Sequence, residues 1–190
     1  MADPIDDIAR VVPLPRSNPR WPSHQPSLRL EAYEISNPNG SGPDPSPPSA
    51  WLFQSNPLLY DLRGALRSLT EQAWSVSRYA KRIRTGDRVY LWEAGRWGGI
   101  AAVGEISEVP RIRPEPVEQI PFARARDLFL KCRLRVGLRV LRVIEPLIAR
   151  SAVLERPELG GLGILRCSRG TNFPLTRDQW HAMNLLIAED

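Results

Sequence analysis

Eight residues of the chain combine flat rings with small polar neighbours: Ser55 and Asn56, Trp74 and Ser75, Trp92, Trp97, and Asn172 beside Phe173. A ring face supplies a stacking wall, and amides and hydroxyls next to it supply directional hydrogen bonds, a combination that suits a nucleobase. Trp74 and Trp97 stand out because each is expected where strand meets loop, with Ser75, or Gly95 and Gly98, leaving room for a ligand to approach. Trp51, Phe53 and Trp180 read as core.

Other chemistries lack their parts. The two histidines are His24 and His181, too few for a histidine metal site, a Ser-His-Asp triad or a His-Cys pair. The run Gly160-Gly-Leu-Gly163 is not followed by Lys-Ser or Lys-Thr, and Arg166 stands where a third dinucleotide-fold glycine would fall, so it reads as a turn before a strand. Asp61, Asp87, Glu93, Glu105 and Glu108 are scattered, without the acid-acid-lysine arrangement of a metal-dependent nuclease. The chain is therefore expected not to be an enzyme and to need no metal or cofactor. Cys132 and Cys167 lie in apolar, strand-like surroundings and are expected to be buried reduced thiols.

Charge points to the partner. The chain's 190 residues fit one domain with a modest remainder, and its basic residues are 24 Arg and 2 Lys, for a net +5 and a pI near 9.8. Guanidinium forks chelate phosphate oxygens, so this excess favours a polyanion, although a GC-rich genome also substitutes Arg for Lys on composition alone. Residues 1–50 hold 11 of the 19 prolines and a net −2, leaving +7 on the remainder. They read as a disordered tail, with 28–35 a weakly alternating stretch able to add an edge strand. There is no apolar run of membrane-spanning length, and the first ten residues carry three Asp and no secretory pattern; a cytoplasmic protein is expected.

The elements that must position the rings follow from periodicity. Residues 51–55 read as a strand stopped by Asn56-Pro57, and Leu58, Leu62, Ala65, Leu66 and Leu69 recur at helical spacing. Residues 74–76 form a short extended piece, Ser77 a cap for a basic helical turn over 78–84, and Gly86-Asp87 a turn. Residues 88–92 and 99–106 read as a hairpin around a 93–98 loop. Residues 131–136 and 139–144 alternate apolar side chains with Arg133, Arg135 and Arg142, which gives a basic face and three candidates for phosphate contact; Gly137 marks a bulge or turn between them. A helical turn at 151–156, a last strand at 163–167 and a helix at 176–188 complete the chain, the helix opening with a Thr176–Gln179 capping box and burying Trp180, Met183 and Ile187. The fold class is α+β.

Four blocks in this order resemble the EVE domain: Trp51-Leu-Phe-Gln-Ser-Asn-Pro57, Ala73-Trp-Ser-Val76, Ile83-Arg-Thr-Gly-Asp-Arg-Val-Tyr-Leu-Trp92 and Gly98-Gly-Ile-Ala-Ala-Val-Gly-Glu-Ile106. Arg169-Gly-Thr-Asn-Phe-Pro174, before a Trp-containing helix, is similar to the closing part of EVE domains from modification-dependent restriction systems. The resemblance covers about residues 51–187. It implies a PUA-like mixed β-barrel with flanking short helices, occupying 51–190, and kinship with YTH and SRA readers, which take one modified base out of its strand into an aromatic pocket. By motif, Trp74 would be the cage wall, Ser55 and Asn56 would come from the end of the first strand, Ser75 would supply hydrogen bonds, and Trp92 or Trp97 would be the opposite wall. Gln54 departs from the lysine usual in YTH domains, and the second YTH cage tryptophan comes from a different loop.

The resemblance implies a non-enzymatic reader, favouring 5-substituted cytosine in DNA, that works in bacterial defence or regulation through a separate nuclease or other effector. The alternatives are a PUA-like RNA-binding module for modified tRNA or rRNA, and a protein-interaction subunit without catalysis. No membrane partner is expected.

Overall fold

The computed structural model of the chain describes residues 49–125, 131–167 and 170–189. The expected tail, including 28–35, lies outside them apart from Ser49 and Ala50, and Ala50 already belongs to the first strand. Six strands, β1 (Ala50–Ser55), β2 (Glu71–Ser75), β3 (Arg88–Glu93), β4 (Gly99–Arg113), β5 (Arg133–Ala149) and β6 (Asn172–Pro174), form one mixed sheet in the order β2-β5-β4-β3-β1-β6. β1 runs parallel to β3; the other pairs are antiparallel. This is the expected α+β architecture, with a sheet that curls without a closing ladder. At its edges, β6 reaches β2 through Asn172 Nδ2, which donates to the Ser75 carbonyl at 3.4 Å.

Strand parity divides the interior in two. Trp51, Phe53, Val89 and Leu91 face inward with Trp74, Ile106, Val136 and Leu138, capped by α1 (Leu62–Ser68). Leu52, Tyr90, Trp92 and Ile100 face the other way, against α2 (Arg150–Leu154), α3 (Gly163–Arg166) and α4 (Arg177–Ala188). Because β1 and β3 are covered on both faces, they read as near-continuous apolar runs. Asp87, 2 % exposed, ties the start of the sheet together: its carboxylate accepts from Trp51 Nε1 at 2.8 Å and from the Ser49 and Arg84 amides, both at 2.9 Å.

Several elements differ from the sequence reading. The first helix begins at Leu62 rather than at 58, because Asp61 caps it by accepting from the Gly64 amide, and Leu58 is exposed. Residues 80–82 form one 3-10 turn without a side-chain cap, so Ser77 does not start it. The two basic strands are one, β5, and Gly137 lies inside it opposite an irregularity in β4, the bulge rather than the turn. Gly163–Arg166 is the short helix α3, not a strand. The expected hairpin of β3 and β4 forms, as does the Thr176–Gln179 capping box; Met183 and Ile187 are buried, and Trp180 is half-buried. Cys132 and Cys167 are both exposed, since each falls just outside a regular element. No helix among the described residues is long and apolar enough to cross a membrane.

Candidate functional site

The seam between the sheet's two edges opens into a cavity of about 440 Å³. The end of β1 contributes Gln54, Ser55 and Asn56; β2 contributes Trp74 and Ser75; β5 contributes Arg133 and Arg135; Thr171 leads into β6. Tyr60, Glu115 and Gln119 come from irregular segments before α1 and after β4. Trp74 and Tyr60 are the aromatic residues of the lining, and Trp74 packs on Phe53 with ring centroids 6.0 Å apart.

Gln119 builds the floor. In the 3-10 helix Val117–Phe122, it accepts from the Ala73 amide, returns a bond from Nε2 to the Ala73 carbonyl at 3.2 Å and donates to Tyr60 Oη at 3.2 Å. Tyr60 passes the chain on to Gln72 Oε1 at 3.4 Å, and burial pushes its hydroxyl pKa up to about 12. The hydroxyl is thus a fixed neutral donor.

The charged part of the wall is a buried pair. Glu115 Oε2 lies 2.7 Å from Arg135 Nη1, with both side chains at most 2 % exposed, and the same Nη1 donates to Ser75 Oγ at 2.7 Å. Loss of water lifts the Glu115 carboxyl to about 7, against the opposing pull of Arg135, Arg113 and Arg133, and it moves Arg135 down. Two buried oxygens of these residues, Ser55 Oγ and Glu115 Oε2, have no aligned hydrogen-bond donor among the described residues, although Oε2 keeps its ion pair with Arg135. A buried polar atom left without a hydrogen bond costs stability.

The structure therefore brings together Ser55, Asn56, Trp74, Ser75 and Arg133 of the residues singled out from sequence. It separates the others. Trp92 pairs in register with Gln54 and shares the parity of Leu52 and Tyr90, so its ring packs in the outer core at 3 % exposure. Phe173 is in the same core, wedged between Gly163 and Gly170, where an added Cβ would approach its ring within 2.8 and 2.5 Å. Asn172 does not line the cavity; it holds the seam above it. Trp97 is 78 % exposed on the 94–98 loop, with Arg96 stacked 5.0 Å from its ring, and is no wall of the cavity. Arg135 is buried in its ion pair rather than displayed on a basic face, and Arg142 is held by the Ile187 carbonyl at 2.9 Å. Tyr60, Glu115, Gln119 and Thr171 had no local sequence signal beyond polarity.

A curled mixed sheet flanked by short helices, with aromatic and buried polar groups at its seam, is a small PUA-like fold. The EVE domain profile matches residues 49–185, and the chain belongs to that family. Its fold is similar to that of human THYN1 protein, solved in complex with 5-methylcytosine-containing DNA (13 % identity, TM-score 0.54, covering 75 % of this chain and 98 % of that one). It is likewise similar to a hypothetical protein from Leishmania major (15 %, 0.54, 75 % and 97 %) and to a protein from Pseudomonas syringae (19 %, 0.53, 73 % and 99 %). No curated protein matches the chain.

Proposed function

We propose that this domain is a non-catalytic reader of a modified base in nucleic acid, 5-substituted cytosine in DNA being the favoured ligand, with the base turned out of its strand and stacked on Trp74. The observation that carries this reading is the cavity, which the Trp74 ring lines together with the polar residues Ser55, Asn56 and Ser75 and the exposed Arg133. Its volume falls in the usual range of small-molecule sites. The THYN1 complex, on the same fold, supports DNA carrying a modified cytosine as the ligand class. Extrusion costs a few kcal/mol and stacking returns about 1 to 3 kcal/mol per base, so contacts to the flanking backbone must supply the rest. Arg133 is exposed at the cavity, and the loop bearing Arg96 and Trp97 leaves the same end of the sheet, where Ser55 pairs with Glu93; both suit that task. Any nuclease or other effector acts as a separate partner.

The test is a comparison of affinities for duplexes bearing one 5-methylcytosine, one N6-methyladenine or no modification, with single-stranded RNA alongside. Preference for the 5-methylcytosine duplex is the expected result, about tenfold to a hundredfold if an apolar slot reads the methyl. Equal binding to all three duplexes refutes the reader. Tighter binding of the RNA moves the reading to an RNA module.

A further inference from the structure

We infer that the turn between β1 and α1 is a wedge: when a base enters the cavity, Leu58 is pressed into the stack of the duplex beside the place the base has left. Resting on the proposed reader function, this role adds to it the side chain that holds the duplex open, and with it a gain in affinity confined to paired DNA.

The turn is built to hold an apolar side chain in water. Asn56 Oδ1 accepts from the Leu58 amide at 2.9 Å, and the Asn56 carbonyl accepts from the Leu59 and Tyr60 amides at 2.9 and 3.0 Å. The Leu59 carbonyl in turn accepts from the Arg124 amide at 2.8 Å, and Tyr60, 6 % exposed, anchors the far end in the core. On this fixed backbone Leu58 is 78 % exposed and Leu59 37 %. The spacing of Leu58 with Leu62 and Leu66 would bury it on a longer helix, but the Asp61 cap starts α1 after the turn and leaves Leu58 outside.

Its place says what it meets. Asn56, Leu59 and Tyr60 line the cavity while Leu58 does not, which puts Leu58 on the rim. A base that enters keeps its sugar and phosphates outside, and these bring the rest of the duplex against that rim. Extrusion uncovers the apolar faces of the two neighbouring base pairs, and a leucine set against them replaces part of the lost stacking, as apolar wedges do where they part base steps. The charges suit the same surface: Arg133 lines the cavity, Arg124 is bonded through its backbone to Leu59, and both side chains are exposed where a phosphate backbone would pass. A single strand has no flanking base pairs to hold apart, so the wedge contributes nothing there.

The experiment compares the full chain with its Leu58→Ala and Leu58→Asn variants on a duplex carrying one 5-methylcytosine and on the same modified strand alone, at constant salt. Both variants should bind the duplex about tenfold more weakly, the loss that follows when one leucine side chain no longer leaves water, and should bind the single strand within about twofold of wild type. A 2-aminopurine next to the methylated cytosine should brighten in the duplex as wild type breaks its stacking, and brighten less with either variant at saturation. Because Leu58 is exposed, melting temperatures of the three free proteins should agree within about 2 °C, and either variant serves if the other does not fold. Equal losses on duplex and single strand overturn the inference, as do no loss on either and an unchanged 2-aminopurine signal. Equal wild-type affinity for modified and unmodified duplexes refutes the reader itself; a preferred modified duplex that both variants bind as tightly as wild type refutes the wedge alone.

Discussion

Leu52, Tyr90 and Trp92 lie on one side of the β1–β3 pair, and Trp51, Phe53 and Trp74 lie on the other with the cavity beside them. The rings on the two sides are about equally shielded from water, from 0 to 8 % exposed, so burial alone does not tell them apart. What differs is the company they keep. Trp92 shares its core with Ile148, Val153, Leu162 and Met183, and the Tyr90 hydroxyl is satisfied by Asn184 Oδ1 at 2.5 Å. Beside Trp74 lie a buried ion pair, a buried serine hydroxyl with no hydrogen-bond partner among the described residues, and an open volume. A fold tolerates such a breach of polar satisfaction where function requires it, and the breach rather than the tryptophan singles out this face as the candidate site.

The largest expected effect breaks the comparison on its apolar side. Trp92→Ala should cost about 3 to 5 kcal/mol of stability and lower Tm by roughly 10 °C or more, while the protein that remains folded keeps its preference for modified DNA. Thermal melts paired with binding at low temperature check this. On the other side, Trp74→Ala should cost less stability than Trp92→Ala, because one face of the ring already borders open space, but about 1 to 3 kcal/mol of affinity for the modified duplex. If Trp74→Ala destabilises as much as Trp92→Ala and leaves modified-base preference intact, Trp74 is core and not a wall.

A third expectation concerns the buried carboxyl and stability. An unfolded glutamate ionises near 4.5, whereas Glu115 in the fold keeps its proton up to about 7. Between those pH values the unfolded chain releases a proton that the folded chain retains. Glu115 therefore lowers stability progressively from pH 4.5 to 7, by up to about 3 kcal/mol, with no further change above. Denaturation of wild type and Glu115→Gln at pH 5 and pH 8 should show the wild type losing ground to the variant as pH rises; a constant gap would mean that Glu115 is ionised throughout. The smallest effect is expected at the exposed ring. Trp97→Ala should change stability by no more than about 0.5 kcal/mol, as urea titration would show.

The local features of this molecule were legible in its residues, and the contacts between distant segments were not. β1, the β3–β4 hairpin and the Thr176–Gln179 capping box follow from alternation and end signals within a few positions. Trp74, Ser75, Ser55 and Asn56 reach the cavity because strand ends carry them there. Trp92 misled because an aromatic at the end of a strand carries no label for its face; only its register opposite Gln54 assigns it to the outer core. Residues 163–167 misled because a short apolar run suits a strand or one helical turn equally well, and packing beneath Phe173 decided for the turn. Glu115 and Gln119 could not be singled out. They sit in a proline-bearing irregular stretch, and their meaning arises from Arg135 and Ala73, which only the folded chain brings near.

The Gln119 side chain has one more consequence, for how these molecules behave toward one another. β2 is an edge strand, and the groups of Ala73 and Ser75 that turn away from β5 are those an intruding strand would seize. Gln119 occupies both the amide and the carbonyl of Ala73, and Asn172 takes the carbonyl of Ser75, so two carboxamides stand in for the missing neighbour. The same side chain that floors the cavity thus shields the edge from another chain, and Gln119→Leu, which frees both backbone groups of Ala73, should increase concentration-dependent self-association, as light scattering would show.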